Sequence, residues 1–341
     1  MKKTIIWITV IIVLLAIPYF VLETEWHEID DSVRKNVPGS FIKLKNGYVH
    51  YELLGPDSAK TIVLIHGISI PYVIWDHTIH ALANEGYRVL RYDLYGRGYS
   101  DRPDVKYDTE LYDEQLFDLL DSLKITCKIN LVGLSMGGVI AMNYTDCHPD
   151  QVEDVALIDP AGFVDENQNR AKFLTTPILG KYLTGVFGHL VISEKIKENF
   201  YDSTCVDSIK PAFETQLKYK GYKRALISTA SNMNLTDKTE LVQRLGKTNR
   251  RFMIIWGKQD KLIPFAKSEI FRKYIPDLEF NPIEKAGHVP QYEKPEDVNL
   301  LLIKFFIDRR VNTKFNIGEC PSPTLPEGKG AGATDLAKKK C

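Results

Sequence analysis

The sequence lacks an excess of either charge: lysine plus arginine equals aspartate plus glutamate at 44 each, and the pI is near 7.1. No basic run interleaved with aromatics is present, which argues against nucleic acid as a partner. No two of the five cysteines (Cys127, Cys147, Cys205, Cys320 and Cys341) have C-x-x-C spacing. That excludes a zinc ribbon or a thioredoxin-like motif, and the scatter reads as mostly buried or incidental thiols, with no pairing assignable from an odd number. No internal repeat is visible.

What is present is ordinary globular composition, 44% hydrophobic and 26% charged over 341 residues. A chain of this size suits one α/β core carrying an insertion. One long uncharged run stands out, Thr4 to Leu22, behind Lys2 and Lys3. As a helix it would extend about 28 Å, close to the ~30 Å of a bilayer's hydrocarbon core. "AIPYF" offers no good cleavage site, so residues 1–22 are expected to be an uncleaved transmembrane signal anchor. The two lysines favour a cytoplasmic amino terminus and a catalytic body outside the cytoplasm. Trp26 is placed to sit at the interface.

Residues 23–40 read as a linker. "FIKL" and "YVHYELLG" flank the turn signal Asn46-Gly47. Beyond them "TIVLIHG", "RVLRYDLYG", "INLVG" and "VEDVALIDPAG" alternate with helical patterns, which predicts a mostly parallel sheet covered on both faces. The alternation stops after Gly162 and resumes with "RFMIIWG", a helix near Pro264 to Tyr274, "LEFNPIE" and a last helix from about Pro295. The chain therefore divides into a core of residues 41–162 and 236–311 and a helical, aromatic-rich insertion of residues 163–235. That insertion includes "PILGKYLTGVFGHLVI", apolar enough to pack over the core or to touch a membrane. Residues 312–341, rich in proline, glycine and lysine, are expected to be a disordered tail.

The chemistry concentrates at "NLVGLSMGGVIAMNY". Gly133-Leu134-Ser135-Met136-Gly137 is a G-x-S-x-G sequence between a strand and a helix, which forces the serine into a strained turn with its hydroxyl exposed above the strand. The helix that follows aims its amides at any oxyanion formed there, and the Met136 N–H is the first candidate donor. A serine hydroxyl needs an oriented base. Among eight histidines, His288 in "EKAGHVPQYEKPEDV" follows a predicted strand and precedes the last helix. His66 in "LIHGIS" reads as shaping backbone, His77 and His80 as a surface pair, and His27, His50, His148 and His189 have no supporting context. Two acids follow strands, Asp260 in "IIWGKQDKLIP" and Asp159 in "ALIDPAG", and either could reach a histidine at the sheet edge. The order Ser135, Asp260, His288 fits nucleophile, acid, base.

In these motifs the chain resembles an α/β-hydrolase. "HGIS", "DLYGRGYS", "GLSMGG", "WGKQD" and "AGHVPQYEKPEDV" occur in that family's order over about residues 41–310, with the insertion where the family carries its cap. The resemblance implies Ser135 as nucleophile, His288 as base and Asp260 as acid, with the amides of Ile68 and Met136 as the oxyanion hole. Serine rather than aspartate at the elbow argues against haloalkane dehalogenase or epoxide hydrolase chemistry. No metal or organic cofactor is expected.

The expected activity is hydrolysis of carboxylic esters of short-to-medium acyl groups, or of monoacylglycerol-like lipids, since "GLSMGG" resembles monoacylglycerol lipases and related esterases. The expected partners are such a small-molecule or lipid-like ester and the membrane. The alternatives are a carbon–carbon bond hydrolase of aromatic degradation and a hydrolase-fold ligand-binding protein with little turnover.

Overall fold

The computed structural model describes residues 23–163 and 193–313, with scattered positions in 3–21 and 180–188. Eight strands form one sheet in the order β1-β2-β4-β3-β5-β6-β7-β8. They are β1 (Ser40–Leu44), β2 (Gly47–Leu54), β3 (Thr61–Ile65), β4 (Arg88–Tyr92), β5 (Ile129–Leu134), β6 (Val152–Ile158), β7 (Phe252–Gly257) and β8 (Glu279–Ile283). β1 and β2 form an antiparallel hairpin at one edge, and β2 also pairs antiparallel with β4. From β4 to β8 every pairing is parallel.

The central strands read as continuous apolar runs because both faces are covered. Every residue of β3, β5 and β7 is buried. On one face the helices Thr109–Ser122, Met136–Cys147, Thr239–Leu245 and Ser268–Tyr274 pack through Leu116, Val139, Val242 and Phe271. On the other, Asp76–Asn84 and Pro295–Thr313 pack through Ile79, Leu82, Leu302 and Phe305.

Parallel strands all end on the same edge of the sheet, the edge where such folds place their ligands. Loops leaving that edge carry His66 after β3, Asp93 after β4, Ser135 after β5, Asp159 after β6, Asp260 after β7 and His288 after β8. Helices Thr204–Gln216 and Tyr222–Asn232 belong to the insertion. The apolar stretch Pro177–Ile192, His189, Cys320, Cys341 and the tail from residue 314 lie, but for a few positions, outside the described residues. So does most of the Thr4–Leu22 run; among the described residues no helix is long and apolar enough to cross a membrane.

The stretch read as a linker carries local structure. It holds a short helix, Asp31–Asn36, capped by the Asp30 carboxylate accepting from the Val33 N–H. Upstream of it, His27 bridges Tyr219, and Glu23 pairs with the buried Lys223 ammonium at 2.6 Å. Glu25 accepts from the Gly221 N–H at 2.8 Å, so this segment is tied to the loop between the two insertion helices.

The cysteines also depart from expectation. Cys127 and Cys147 are both disulfide-bonded. A βα unit returns its chain toward the start of its strand, which brings the end of helix Met136–Cys147 beside the loop entering β5. The Ile129 N–H donates to the Gln151 carbonyl at 2.8 Å there, so both cysteines lie near that junction. Neither position carries a sequence signature for a disulfide, because such bonds join residues that the fold brings together.

Candidate active site

Ser135 sits at φ 54°, ψ −119°, a left-handed conformation that a non-glycine residue adopts only when its surroundings impose it. The imposition is visible. Its N–H donates to the Ile158 carbonyl at 2.9 Å, and its carbonyl accepts from the amides of Gly138 and Ala161. The flanking glycines are required by close approach. A Cβ on Gly137 would fall 2.2 Å from the Ile65 carbonyl oxygen, and one on Gly133 would fall 2.4 Å from the Gly137 carbonyl oxygen. The G-x-S-x-G spacing thus lets the helix press against β3 and β5 while the serine is pushed above them.

On the facing loops, His288 Nδ1 lies 2.7 Å from Asp260 Oδ2. Asp260 Oδ1 accepts from the amides of Leu262 and Ile263 at 2.7 and 2.9 Å, so the short turn after β7 aims the other oxygen at the histidine. The His288 N–H donates to the Asn199 carbonyl at 2.7 Å. Glu293 accepts from the Gly287, Tyr201 and Asp202 amides, which fastens the histidine loop to the segment after Asn199. Ser135, Asp260 and His288 expose 7%, 7% and 4% of their surface, so all three are buried. Among the described residues no hydrogen bond joins Ser135 Oγ to His288; such contacts are commonly long in a free enzyme and close when substrate binds.

Ile68 and Met136 flank the serine. Gly67 lies against it: a Cβ there would be 3.8 Å from Ser135 Oγ. Among the described residues neither the Ile68 N–H nor the Met136 N–H has a protein acceptor. Two amides in this position suit a developing oxyanion.

His66 shapes this loop. Nδ1 contacts the Gly67 carbonyl at 2.7 Å and Nε2 accepts from the Leu94 N–H at 2.9 Å, which fixes a neutral tautomer with the proton on Nδ1. Burial lowers its pKa to about 4. His77 and His80 are exposed on helix Asp76–Asn84, and His27 is also exposed. His148 pairs with Asp113 at 2.8 Å, at the far end of helix Met136–Cys147.

Asp159, the other acid in reach, does not take the histidine's Nδ1. Its Oδ1 accepts from the Gly257 N–H at 2.9 Å. Asp159, Asp260 and His288 bring ligand-type atoms within 4.8 Å of one another, the composition of a metal-ligand set. Here Asp260 Oδ2 and His288 Nδ1 are engaged with each other and Asp260 Oδ1 with two amides, so the grouping is already satisfied as a hydrogen-bonded unit.

The sequence assigns no role to three features, although Asp93 and Arg97 lie in "DLYGRGYS". Arg97, fully buried, donates from Nε to the Ile68 carbonyl at 2.8 Å and from Nη2 to Thr229 Oγ1 at 2.9 Å. Gln216 donates to the Ser69 carbonyl at 2.6 Å and accepts from the Gly98 N–H at 3.0 Å. Together they tie the Ile68 loop to both insertion helices. His50 and Asp93 form a buried pair at 2.7 Å, with His50 Nε2 against the Pro38 carbonyl. Asp93 also accepts from the amides of Tyr72 and Tyr99. The aspartate of "DLYGRGYS" therefore organises the floor beneath the site.

Residues 60–295 match the family described as "alpha/beta hydrolase fold". The dihydrolipoyllysine-residue acetyltransferase component of the acetoin cleaving system of Pseudomonas putida is 30% identical over 74% of this chain, which spans 65% of that protein's length. A 2-hydroxy-6-oxononadienedioate/2-hydroxy-6-oxononatrienedioate hydrolase of Pseudomonas putida is 25% identical over 80% of this chain and 98% of its own. Lipase 1 of Psychrobacter immobilis is 24% identical over 70% of this chain and 74% of its own. Among solved structures, a thermophilic esterase from Thermogutta terrifontis superposes with a TM-score of 0.68 at 22% identity, covering 79% of this chain and 99% of that one, a likeness of fold.

Proposed function

The chain belongs to the alpha/beta hydrolase fold family, and we propose that it is a serine hydrolase of carboxylic esters, with Ser135 as nucleophile, His288 as base and Asp260 as acid. The observation that carries this reading is the buried His288–Asp260 contact at 2.7 Å on the same sheet edge as a serine held at φ 54°.

In this mechanism His288 removes the Ser135 proton as Oγ attacks the ester carbonyl, and Asp260 holds the ring and balances the imidazolium. The amides of Ile68 and Met136 take the oxyanion. His288 then protonates the leaving alcohol, and water, activated by the same base, releases the acid. General-base action supplies roughly 10²–10⁴ in rate and each oxyanion donor about 10²–10³.

Short-to-medium acyl esters or monoacylglycerol-like lipids are the proposed substrates. Similarity to a lipase supports this, as does the apolar sequence Pro177–Ile192 of the insertion. A second reading, carbon–carbon bond hydrolysis of a vinylogous dienoate, is favoured by the relative that matches over 98% of its length and is named for that substrate class. Turnover of p-nitrophenyl esters from acetate to laurate, against the Ser135→Ala variant, tests the first. A dienoate cleaved far faster than any ester would replace it with the second. Tight ligand binding with a single slow turnover would point to a ligand-binding protein.

For location, we propose a membrane-tethered enzyme with its catalytic body outside the cytoplasm. The uncharged Thr4–Leu22 run behind two lysines supports it. So does a disulfide at Cys127 and Cys147, since such bonds persist in oxidising compartments. Protection of the body from protease added to intact cells would overturn that orientation.

A further inference from the structure

Asp159 has no place in the mechanism above, yet it is fully buried beside it. Its backbone is held at φ 41°, with its N–H donating to the Ile255 carbonyl at 3.0 Å, so the side chain is fixed rather than free to turn away. Oδ1 takes the Gly257 N–H, whereas Oδ2 is buried without a donor. An unpaired carboxylate oxygen in that position is costly.

Asp260 is the reverse case. It accepts three N–H bonds, from Leu262, Ile263 and His288, where Asp159 accepts one. Carboxyl oxygens of the two acids and a ring nitrogen of His288 lie within 4.8 Å of one another. Two carboxylates so close in a water-poor site do not both ionise, and the proton settles on the acid with fewer donors.

The titratable groups facing Asp159 are Asp260 from the loop after β7, Glu293 from beyond β8, and His288, whose ring nitrogen lies within 4.8 Å of the Asp159 carboxyl. Burial first, and then the Asp260 charge, push the Asp159 carboxyl well above the ordinary carboxylate range.

We propose that Asp159 is a positioning residue, donating a hydrogen bond from a protonated Oδ2 to the Asp260 carboxylate, so that the two acids together present one negative charge to His288. The inference rests on the triad reading of Ser135, Asp260 and His288. The proton fills the vacant hydrogen bond of Oδ2 and holds the Asp260 side chain in the orientation that reaches Nδ1.

The test uses the full chain as wild type, Asp159→Asn, Asp159→Ala and Asp260→Asn. The rate of Ser135 labelling by a fluorophosphonate is followed against pH, a readout independent of the natural substrate. A wild type minus Asp159→Asn infrared difference spectrum at neutral pH is recorded beside it. The spectrum should show the C=O stretch of a protonated carboxyl. The Asn variant, whose amide can donate the same bond, should label within about threefold of wild type, and the Ala variant roughly tenfold more slowly. Wild type should show an alkaline inflection, where Asp159 loses its proton, that the Asn variant lacks.

The proposal is overturned if the carboxyl band is absent, if Asp159→Asn falls as far as Asp260→Asn, or if Asp159→Ala matches wild type in rate and profile. A folded wild type that does not label refutes the triad reading instead, and the infrared band still decides whether Asp159 carries a proton.

Discussion

The guanidinium Nε of Arg97 donates to the Ile68 carbonyl at 2.8 Å, while its Nη2 reaches Thr229 on insertion helix Tyr222–Asn232. The residue whose N–H is the proposed oxyanion donor is therefore held through its own carbonyl by a side chain that also reaches the helix Tyr222–Asn232. Arg97→Lys keeps a charge but cannot span both acceptors. It should slow labelling of Ser135 about tenfold, a fraction of the 10²–10³ lost with a whole oxyanion donor. Stopped-flow labelling on a variant with a native melting curve checks this.

Ser135 is strained at φ 54°. Ser135→Ala should abolish turnover without relieving that strain. Ser135→Gly, equally inactive, should exceed the Ala variant in stability by about 1 kcal/mol, because glycine adopts this conformation freely. Denaturant unfolding of the pair measures the difference.

His66 is buried and neutral, with its pKa lowered to about 4. Unfolded, a histidine titrates near 6.5. Between these values the unfolded chain binds the extra proton and the native chain does not, so acidification favours unfolding. Stability should fall as pH drops from about 6.5 toward 4, by roughly 3 kcal/mol in total from this group. A His66→Gln variant, whose amide does not titrate, should show a shallower slope of unfolding free energy over the same window.

Reduction of the disulfide bonding at Cys127 and Cys147 should cost roughly 2–4 kcal/mol. Both cysteines lie at the sheet edge opposite Ser135. Labelling at a temperature where the reduced protein remains folded should therefore be unchanged.

Much of the architecture was legible because both of its periodicities are strong. Buried strands such as "TIVLI" and "FMIIW" alternate with amphipathic helices, and Gly133, Ser135 and Gly137 mark one strand-to-helix turn. The hairpin was legible from Asn46-Gly47. Other parts depend on contacts between distant segments. Asp159 and Asp260 both follow strands; motif order favours Asp260, and the spatial arrangement places its Oδ2 2.7 Å from His288 Nδ1. The Arg97 and Gln216 ties and the His50–Asp93 pair join residues with no local pattern between them. The Glu23–Lys223 pair likewise joins positions 200 residues apart, invisible to any reading of a linker's composition.

The central claim is that Ser135 carries the acyl group during turnover. Rapid quench of the wild type with a p-nitrophenyl ester, followed by mass spectrometry of the digested protein, tests it directly. The account predicts the acyl mass on the peptide containing Ser135, absent from Ser135→Ala and formed far more slowly in His288→Ala. Turnover with no acyl group on that peptide, or equal turnover by Ser135→Ala, would contradict it.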